Sequence, residues 1–209
     1  MGNLYTIGHS RHEIDDFLEL LRQHGVDFVL DVRSTPYSKY ADQFNREPLE
    51  WALQNAGLEY HFMGTYFGAR PDDKSLYCDE GYLDFARVRK SPRFLAGVNS
   101  VRKGLEMGRN IALMCAEQDP FDCHRAIMVS RAFELAGIEV NHILKDGNLQ
   151  SQAKLNERLL DKYYPNIAQV SFFDATDRKE DWEYLEMAYQ QRNREIGYRP
   201  DSRKAENQR

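Results

Sequence analysis

Residues 111 to 144 decide the fold: Ile111-Ala112-Leu113-Met114-Cys115-Ala116-Glu117-Gln118-Asp119-Pro120-Phe121-Asp122-Cys123-His124-Arg125, on through Ala136-Gly137, to Glu139-Val140-Asn141-His142-Ile143-Leu144. Ile111 to Cys115 is an unbroken apolar run, the signature of a strand buried on both faces. Asp122 is placed to cap a helix that runs to Ala136, and Gly137 supplies its stop. Glu139 to Leu144 then reads as the next strand. Strand, helix and strand at this spacing make a crossover unit, which joins parallel strands and places the helix on a sheet face.

The same rhythm extends upstream. Leu4 to Gly8 is a first strand, and Ser10-Arg11-His12-Glu13 has the form of a capping box before Ile14, Phe17, Leu18 and Leu21 at helical spacing. Val26 to Val32 is a second strand. A helix from Asn45 carries Leu49, Ala52, Leu53 and Ala56 and closes at Gly57, and Leu58 to Phe62 is a third strand. Ser91-Pro92 opens another helix as cap and first-turn proline, with Phe94, Leu95, Val98, Val101 and Leu105 inward. The expected architecture is therefore a three-layer α/β fold, with a mainly parallel sheet of about five strands and helices on both faces. Residues 1–165 are expected to form this domain. Residues 166–209 are expected to be a helical appendage, with its helix around Lys179 to Glu195, and a polar C-terminal tail. The aromatic, glycine-bearing stretch 63–90 breaks the rhythm and reads as a wall or lid.

At 209 residues the chain can bury a full core without disulfides or metal, and three cysteines exclude a disulfide-rich secreted scaffold. No run approaches the length of a membrane span, so a soluble, cytoplasmic protein without a membrane partner is expected. The net charge of -5 argues against a purely electrostatic nucleic-acid binder. Residues 87–109 nevertheless hold seven basic side chains against Glu106 alone. That band is either a solvated helix face or a nucleic-acid surface.

Polar residues with chemical potential collect at the expected strand ends: Gly8-His9-Ser10, Asp31-Val32-Arg33-Ser34, Cys115-Ala116-Glu117 with Cys123-His124-Arg125, and His142 to Asp146-Gly147. In an open parallel sheet, ligands bind beyond the carboxyl ends of the strands, so these four clusters are expected to converge on one crevice. His9, Cys115, Glu117, His124 and His142 are the candidates for acid–base or nucleophilic chemistry. Ser10, Asp31, Arg33, Asn45, Cys123, Arg125 and Asp146 are the candidates for holding a substrate or anion. Several have plain structural readings beside these. In those readings Ser10 is a helix cap, Asp31 or Arg33 enters an internal ion pair with a partner the sequence does not name, and His142 is a hydrogen-bonded core histidine. The cysteines are small buried hydrophobes, and Asp146-Gly147 is a turn.

A thiol at a strand end facing a helix that begins Cys-His-Arg resembles the anion-cradling loops of cysteine phosphatases and sulfurtransferases. Ten positions separate Cys115 from Arg125, however, which is too long for a phosphatase loop. The Cys115-x7-Cys123-His124 spacing matches no zinc pattern, so no structural zinc is expected and no residue is assigned to metal.

Taken together, Thr6-Ile7-Gly8-His9-Ser10, Asp31-Val32-Arg33-Ser34-x-Pro36, Phe44-Asn45, Cys115-Ala116-Glu117, Cys123-His124-Arg125, and His142-Ile143 with Asp146-Gly147 resemble the family catalogued as domain of unknown function 488. The resemblance runs from about residue 3 to residue 160. Tyr66-Phe67-Gly68-Ala69 departs from it, where relatives tend to carry a Leu-Gly-Gly-like stretch. The resemblance implies that these motifs belong to one site, and it supplies no activity. The residues themselves favour an enzyme acting on a phosphorylated, nucleotide-like or other anionic small molecule. The alternatives are a nucleic-acid-binding or modifying domain and a non-catalytic ligand-binding module. Because Arg125 is expected in an open first helical turn, its removal is expected to abolish anion binding without harming the fold.

Overall fold

The computed structural model describes residues 1–165 and 180–200. Strand β1 (Leu4–Gly8) leads to α1 (Ile14–Gln23), β2 (Phe28–Asp31), α2 (Arg46–Asn55) and β3 (Glu59–Phe62). The short α3 (Gly64–Phe67) and α4 (Phe85–Lys90) precede α5 (Pro92–Glu106) and β4 (Ile111–Cys115). After the α6 region (Arg131–Leu135) come β5 (Val140–Ile143), β6 (Leu149–Ser151), α7 (Gln152–Tyr163) and α8 (Asp181–Ile196).

The strands form one six-stranded sheet in the order β3-β2-β4-β1-β5-β6. The first five are parallel, and only β6 pairs antiparallel, with β5. The sheet is thus mainly parallel, as the alternating pattern predicts, with one more strand. Leu149-Gln150-Ser151 is too short to register as a periodic run and is defined by its pairing with β5.

The alternation of side chains builds two cores. Tyr5, Ile7, Val29, Ala112 and Met114 face α1 and α2, where Phe17, Leu21, Leu49 and Leu53 close the layer. Leu4, Leu30, Ile111, Leu113 and Cys115 face the opposite layer, which includes Phe94, Val98, Val101, Ile127, Val129, Leu155 and Tyr189. Helix α8 is part of that second layer. Gln152 Nε2 donates to Tyr189 Oη at 2.7 Å, and Asn193 both accepts from Phe85 N at 2.8 Å and donates to Leu83 O at 2.8 Å. Lys179 and the polar end from 201 onward lie outside the described residues.

Two local expectations are corrected. Ser10 does not cap α1: it sits in a turn with φ +45°, and Glu13 occupies the cap position without a side-chain bond. Nor does a helix start at Asp122. Pro120–Asp122 is a single 3₁₀ turn capped by Asp119, whose carboxylate accepts from Phe121 N at 2.9 Å. The following turn, Arg125–Ser130, is wound as a π-helix before the α-helical Arg131–Leu135. Ser130 Oγ donates to Arg125 O at 2.8 Å, a bond across five residues that satisfies a carbonyl in the widened turn. Such π turns recur at functional sites because they re-aim the residues beside them.

Candidate functional site

The carboxyl ends of β1, β2 and β4 open into one cavity of about 440 Å³. His9, Arg33, Cys115, Glu117 and His124 line it together with Ser34, Tyr37, Arg70 and Tyr198. Close backbone approach holds this end of the sheet. His9 N donates to Cys115 O at 2.8 Å and Ser10 N to Ala116 O at 2.9 Å, which continues the ladder past the strands. Gly8 permits this approach, because a Cβ there would lie 1.9 Å from Glu117 O.

Asp31 and Arg33 are two residues apart and pair through a fork. Arg33 Nε donates to Asp31 Oδ1 at 2.9 Å and Nη2 to Oδ2 at 2.6 Å. Tyr60 Oη adds a bond to Asp31 Oδ2 at 2.9 Å, and Arg33 Nη2 also donates to Phe44 O at 2.8 Å. Asp31 is fully buried and touches no ligand space, so its candidacy as an anion-holding residue gives way to charge compensation. Arg33 reaches the cavity with its charge already matched. Its Nη1 donates to His9 Nε2 at 3.2 Å, while His9 Nδ1 donates to Ser10 O at 3.0 Å. Burial first, and the Arg33 charge next, push His9 down to about 4, so it is a neutral imidazole clamped between two partners and stacked on Phe44 at 4.4 Å.

The other wall is a cluster of four donors. Glu117 Oε2 lies 3.0 Å from Cys115 Sγ and 3.0 Å from Cys123 Sγ, and Cys115 Sγ lies 3.8 Å from His124 Nδ1. His124 Nε2 donates to Val32 O at 3.1 Å, which aims Nδ1 into the cluster. The spacing argument against a four-donor site fails here, because the turn at 116–122 folds Glu117 back between the two cysteines. Glu117 reaches the surface as a residue, but desolvation of its carboxyl between the two sulfurs, and then the neighbouring Cys123, raise it above its ordinary value. The hydrogen bond to Cys123 and burial raise the Cys115 thiol. Burial opposes ionisation of Cys123, but the Cys115 thiol and the Arg125 charge outweigh it and hold Cys123 low. Arg125 N, at 3.4 Å from Cys123 Sγ, supports the same direction. Both sulfurs are buried, and Cys115, the one that lines the cavity, is the one whose ionisation is opposed.

Arg125 is not an open first-turn side chain. It is 0% exposed, with Nη1 donating to Glu117 O at 2.6 Å, Nη2 to Gln118 O at 2.9 Å and Nε to Thr6 Oγ1 at 3.3 Å. It fastens the Glu117–Gln118 loop to β1 and presents no donor to the cavity. The expectation that its loss spares the fold is overturned by this burial.

The remaining candidates separate from the cavity. His142 is 0% exposed, with Nδ1 2.8 Å from Thr6 Oγ1 and Nε2 without a hydrogen-bond partner, so it is a core histidine. Asp146 bonds to Asn148 in the turn after β5 and lines a neighbouring open groove of about 960 Å³ with Lys145, Gln150 and Arg158. Glu117 borders both spaces. Asn45 Oδ1 accepts from Ser38 N at 2.6 Å and braces the loop under the rim. Ser10 Oγ reaches only Gln118 Oε1, at 3.5 Å.

Two rim residues carry no local signal in the sequence. Arg70 comes from the 63–90 segment and stacks over Tyr198, which follows α8, at 5.0 Å. Only the tertiary packing brings them to the strand ends. The 63–90 segment is a packed wall, with Phe67, Leu83 and Phe85 buried in the core. The basic band divides: Arg87 pairs with Asp84, Arg89 faces Glu186, and Arg109 stacks over Phe28. Among the described residues no helix is long and apolar enough to cross a membrane.

The sequence matches the family described as Domain of unknown function DUF488 over residues 13–132. That span contains Asp31, Arg33 and the whole Cys115–Arg125 stretch, while His9, Ser10, His142 and Asp146 fall outside it. No curated protein and no solved structure matches the chain.

Proposed function

The chain belongs to the DUF488 family, and from that premise and its own strand-end cavity we propose that it is an enzyme acting on a phosphorylated, nucleotide-like or other anionic small molecule. The observation that carries this reading is the cavity lined by His9, Arg33, Arg70, Cys115, Glu117 and His124. It lies where ligands bind in parallel α/β sheets.

Arg70 is the cation assigned to the anion. No carboxylate pairs with it among the described residues, and its stacking on Tyr198 fixes the guanidinium plane at the rim. Tyr37 and Tyr198 offer rings for a base or another flat group. The Arg33 charge, spent on Asp31, positions His9 and adds a weaker positive field. Glu117 is assigned the proton transfer. Its carboxyl is raised above its ordinary value and borders the cavity, which suits a group that must both give and take a proton. Cys115 and Cys123 hold that carboxyl in place. Three free cysteines suit a reducing compartment, and a cytoplasmic location is proposed with the function.

The experiment is a turnover screen of phosphomonoesters and nucleotides, with products followed by mass spectrometry, on wild type and Glu117→Gln. Wild type should turn over at least one class. Glu117→Gln should slow that turnover by about 10²–10⁴-fold while retaining binding. Unchanged turnover in Glu117→Gln, or salt-dependent retention of oligonucleotides with no small-molecule turnover, would replace this reading.

A further inference from the structure

We infer that Cys115, Cys123, His124 and Glu117 form a binding site for a soft divalent cation of the zinc class. The four donors come from the end of β4, the loop after it and the start of the π turn, and their ligand atoms all lie within 4.8 Å of one another. A tetrahedral ion with ordinary bond lengths separates a sulfur from a nitrogen or oxygen ligand by about 3.6 Å. The Cys115–His124 separation of 3.8 Å already fits that, and the two sulfur-to-Glu117 distances of 3.0 Å need to open by roughly half an ångström.

Three further features belong to a metal site rather than to a chance cluster. The Nε2–H of His124 is committed to the Val32 carbonyl, so Nδ1 faces the sulfurs as a lone pair. The backbone N–H of Arg125 points at Cys123 Sγ, the contact that supports a thiolate ligand. Without an ion, two sulfurs and a carboxyl oxygen crowd together within 4.8 Å, and the thiol protons donated to Glu117 are what hold them at that distance. A divalent cation replaces those protons, and the thiol protons pass to the buffer as the metal–sulfur bonds form.

Two thiolates and an imidazole select zinc, and related soft ions, over magnesium or calcium. The burial is graded: both cysteines are buried, His124 is half-buried and Glu117 is exposed. Three donors would therefore hold the ion at the cavity floor. Glu117 takes the fourth position on the solvent side, by which the ion enters; as a ligand it is deprotonated, so the proton transfer assigned to it belongs to the metal-free protein. This inference rests on the donor set alone and stands whether or not the cavity accepts an anion.

The test is a cobalt(II) titration of full-length protein, stripped with chelator and kept reduced, followed by absorption spectroscopy. Wild type should take one cobalt per chain, with sulfur-to-metal charge-transfer bands and the intense visible bands of a tetrahedral site, and zinc should displace it stoichiometrically. Cys123→Ser and His124→Gln should each weaken binding by at least about 100-fold, and Glu117→Gln by about 10-fold. Cys78→Ser, whose sulfur lies in the 63–90 segment, should bind as wild type does. Circular dichroism identifies variants that have lost the fold, and Glu117→Gln supplies a second site variant at a solvent-facing position. A wild type without thiolate bands, or equal losses in Cys78→Ser and Cys123→Ser, would overturn the inference.

Discussion

Arg125 and Glu117 are joined main chain to side chain: the Arg125 guanidinium donates from Nη1 to the Glu117 carbonyl at 2.6 Å from a fully buried position. A charge buried without a carboxylate partner is costly, and three acceptors and the nearby Cys123 sulfur are what offset it. Arg125 thereby fixes the path of the loop that returns Glu117 to the cysteines.

Removing Arg125 is therefore a stability experiment. Arg125→Ala strands two loop carbonyls and leaves a large void beside Thr6, with an expected loss of about 3–5 kcal/mol in urea unfolding. A loss under about 1 kcal/mol would contradict the bracing role.

The Asp31–Arg33 pair makes a parallel statement on the other face of the sheet. Asp31→Asn keeps the shape but leaves the Arg33 charge buried and unmatched, and should cost about 3 kcal/mol or more. Tyr60→Phe removes one hydrogen bond from the same carboxylate and should cost about 1–2 kcal/mol. Equal effects from the two variants would show that the charge pairing is not what stabilises the site.

His142 sets a pH dependence. Burial first, and then the Arg125 charge, push it down to about 3 against an ordinary value of 6.5, with Thr6, Gln152, Cys123 and Asp119 as the other groups it senses. The folded state keeps this imidazole neutral while the unfolded state takes up a proton below about pH 6.5, so stability falls as pH drops through that value toward 3. At pH 5 this one group should remove about 2 kcal/mol relative to neutral pH. His142→Gln cannot titrate. Urea midpoints compared at pH 7 and pH 5 should show the wild type losing that much more than the variant, and equal losses would remove His142 from the account.

Gly8 offers a steric test of the same region. A Cβ at this position would meet the Glu117 carbonyl at 1.9 Å, so Gly8→Ala must displace the 116–118 loop. The expected outcome is a loss of about 2–4 kcal/mol together with weaker ligand binding at the cavity. A variant as stable as wild type would mean that the β1–loop contact is looser than described.

The strands are readable because buried parallel strands leave unbroken apolar runs such as Ile111–Cys115, and of the four polar clusters at the strand ends three border the cavity while the His142–Asp146 cluster does not. Reading failed where the outcome depends on tertiary contacts. Ser10 has the composition of a cap, but the hydrogen bond from its backbone N to Ala116 pulls it into a left-handed turn. The π turn at Arg125–Ser130 breaks the helical register that its apolar residues suggest. The spacing Cys115-x7-Cys123-His124 argued against four converging donors, because linear spacing does not show that Glu117 folds back between the sulfurs. Arg70 and Tyr198 lie 128 positions apart and meet only because α8 packs beside the 63–90 segment.

The most direct measurement of the central claim, that the strand-end cavity binds an anion through Arg70, is a thermal-shift titration with inorganic phosphate and adenosine monophosphate. It is run on wild type and on Arg70→Ala. At ligand concentrations near one hundred times Kd, binding stabilises by about 2.7 kcal/mol, which for a chain of this size raises the melting temperature by about 5–10 °C. Wild type should show that rise with at least one of the two anions, and Arg70→Ala should lose most of it while melting at the wild-type temperature without ligand. No shift in wild type with either anion, or an undiminished shift in Arg70→Ala, would contradict the account.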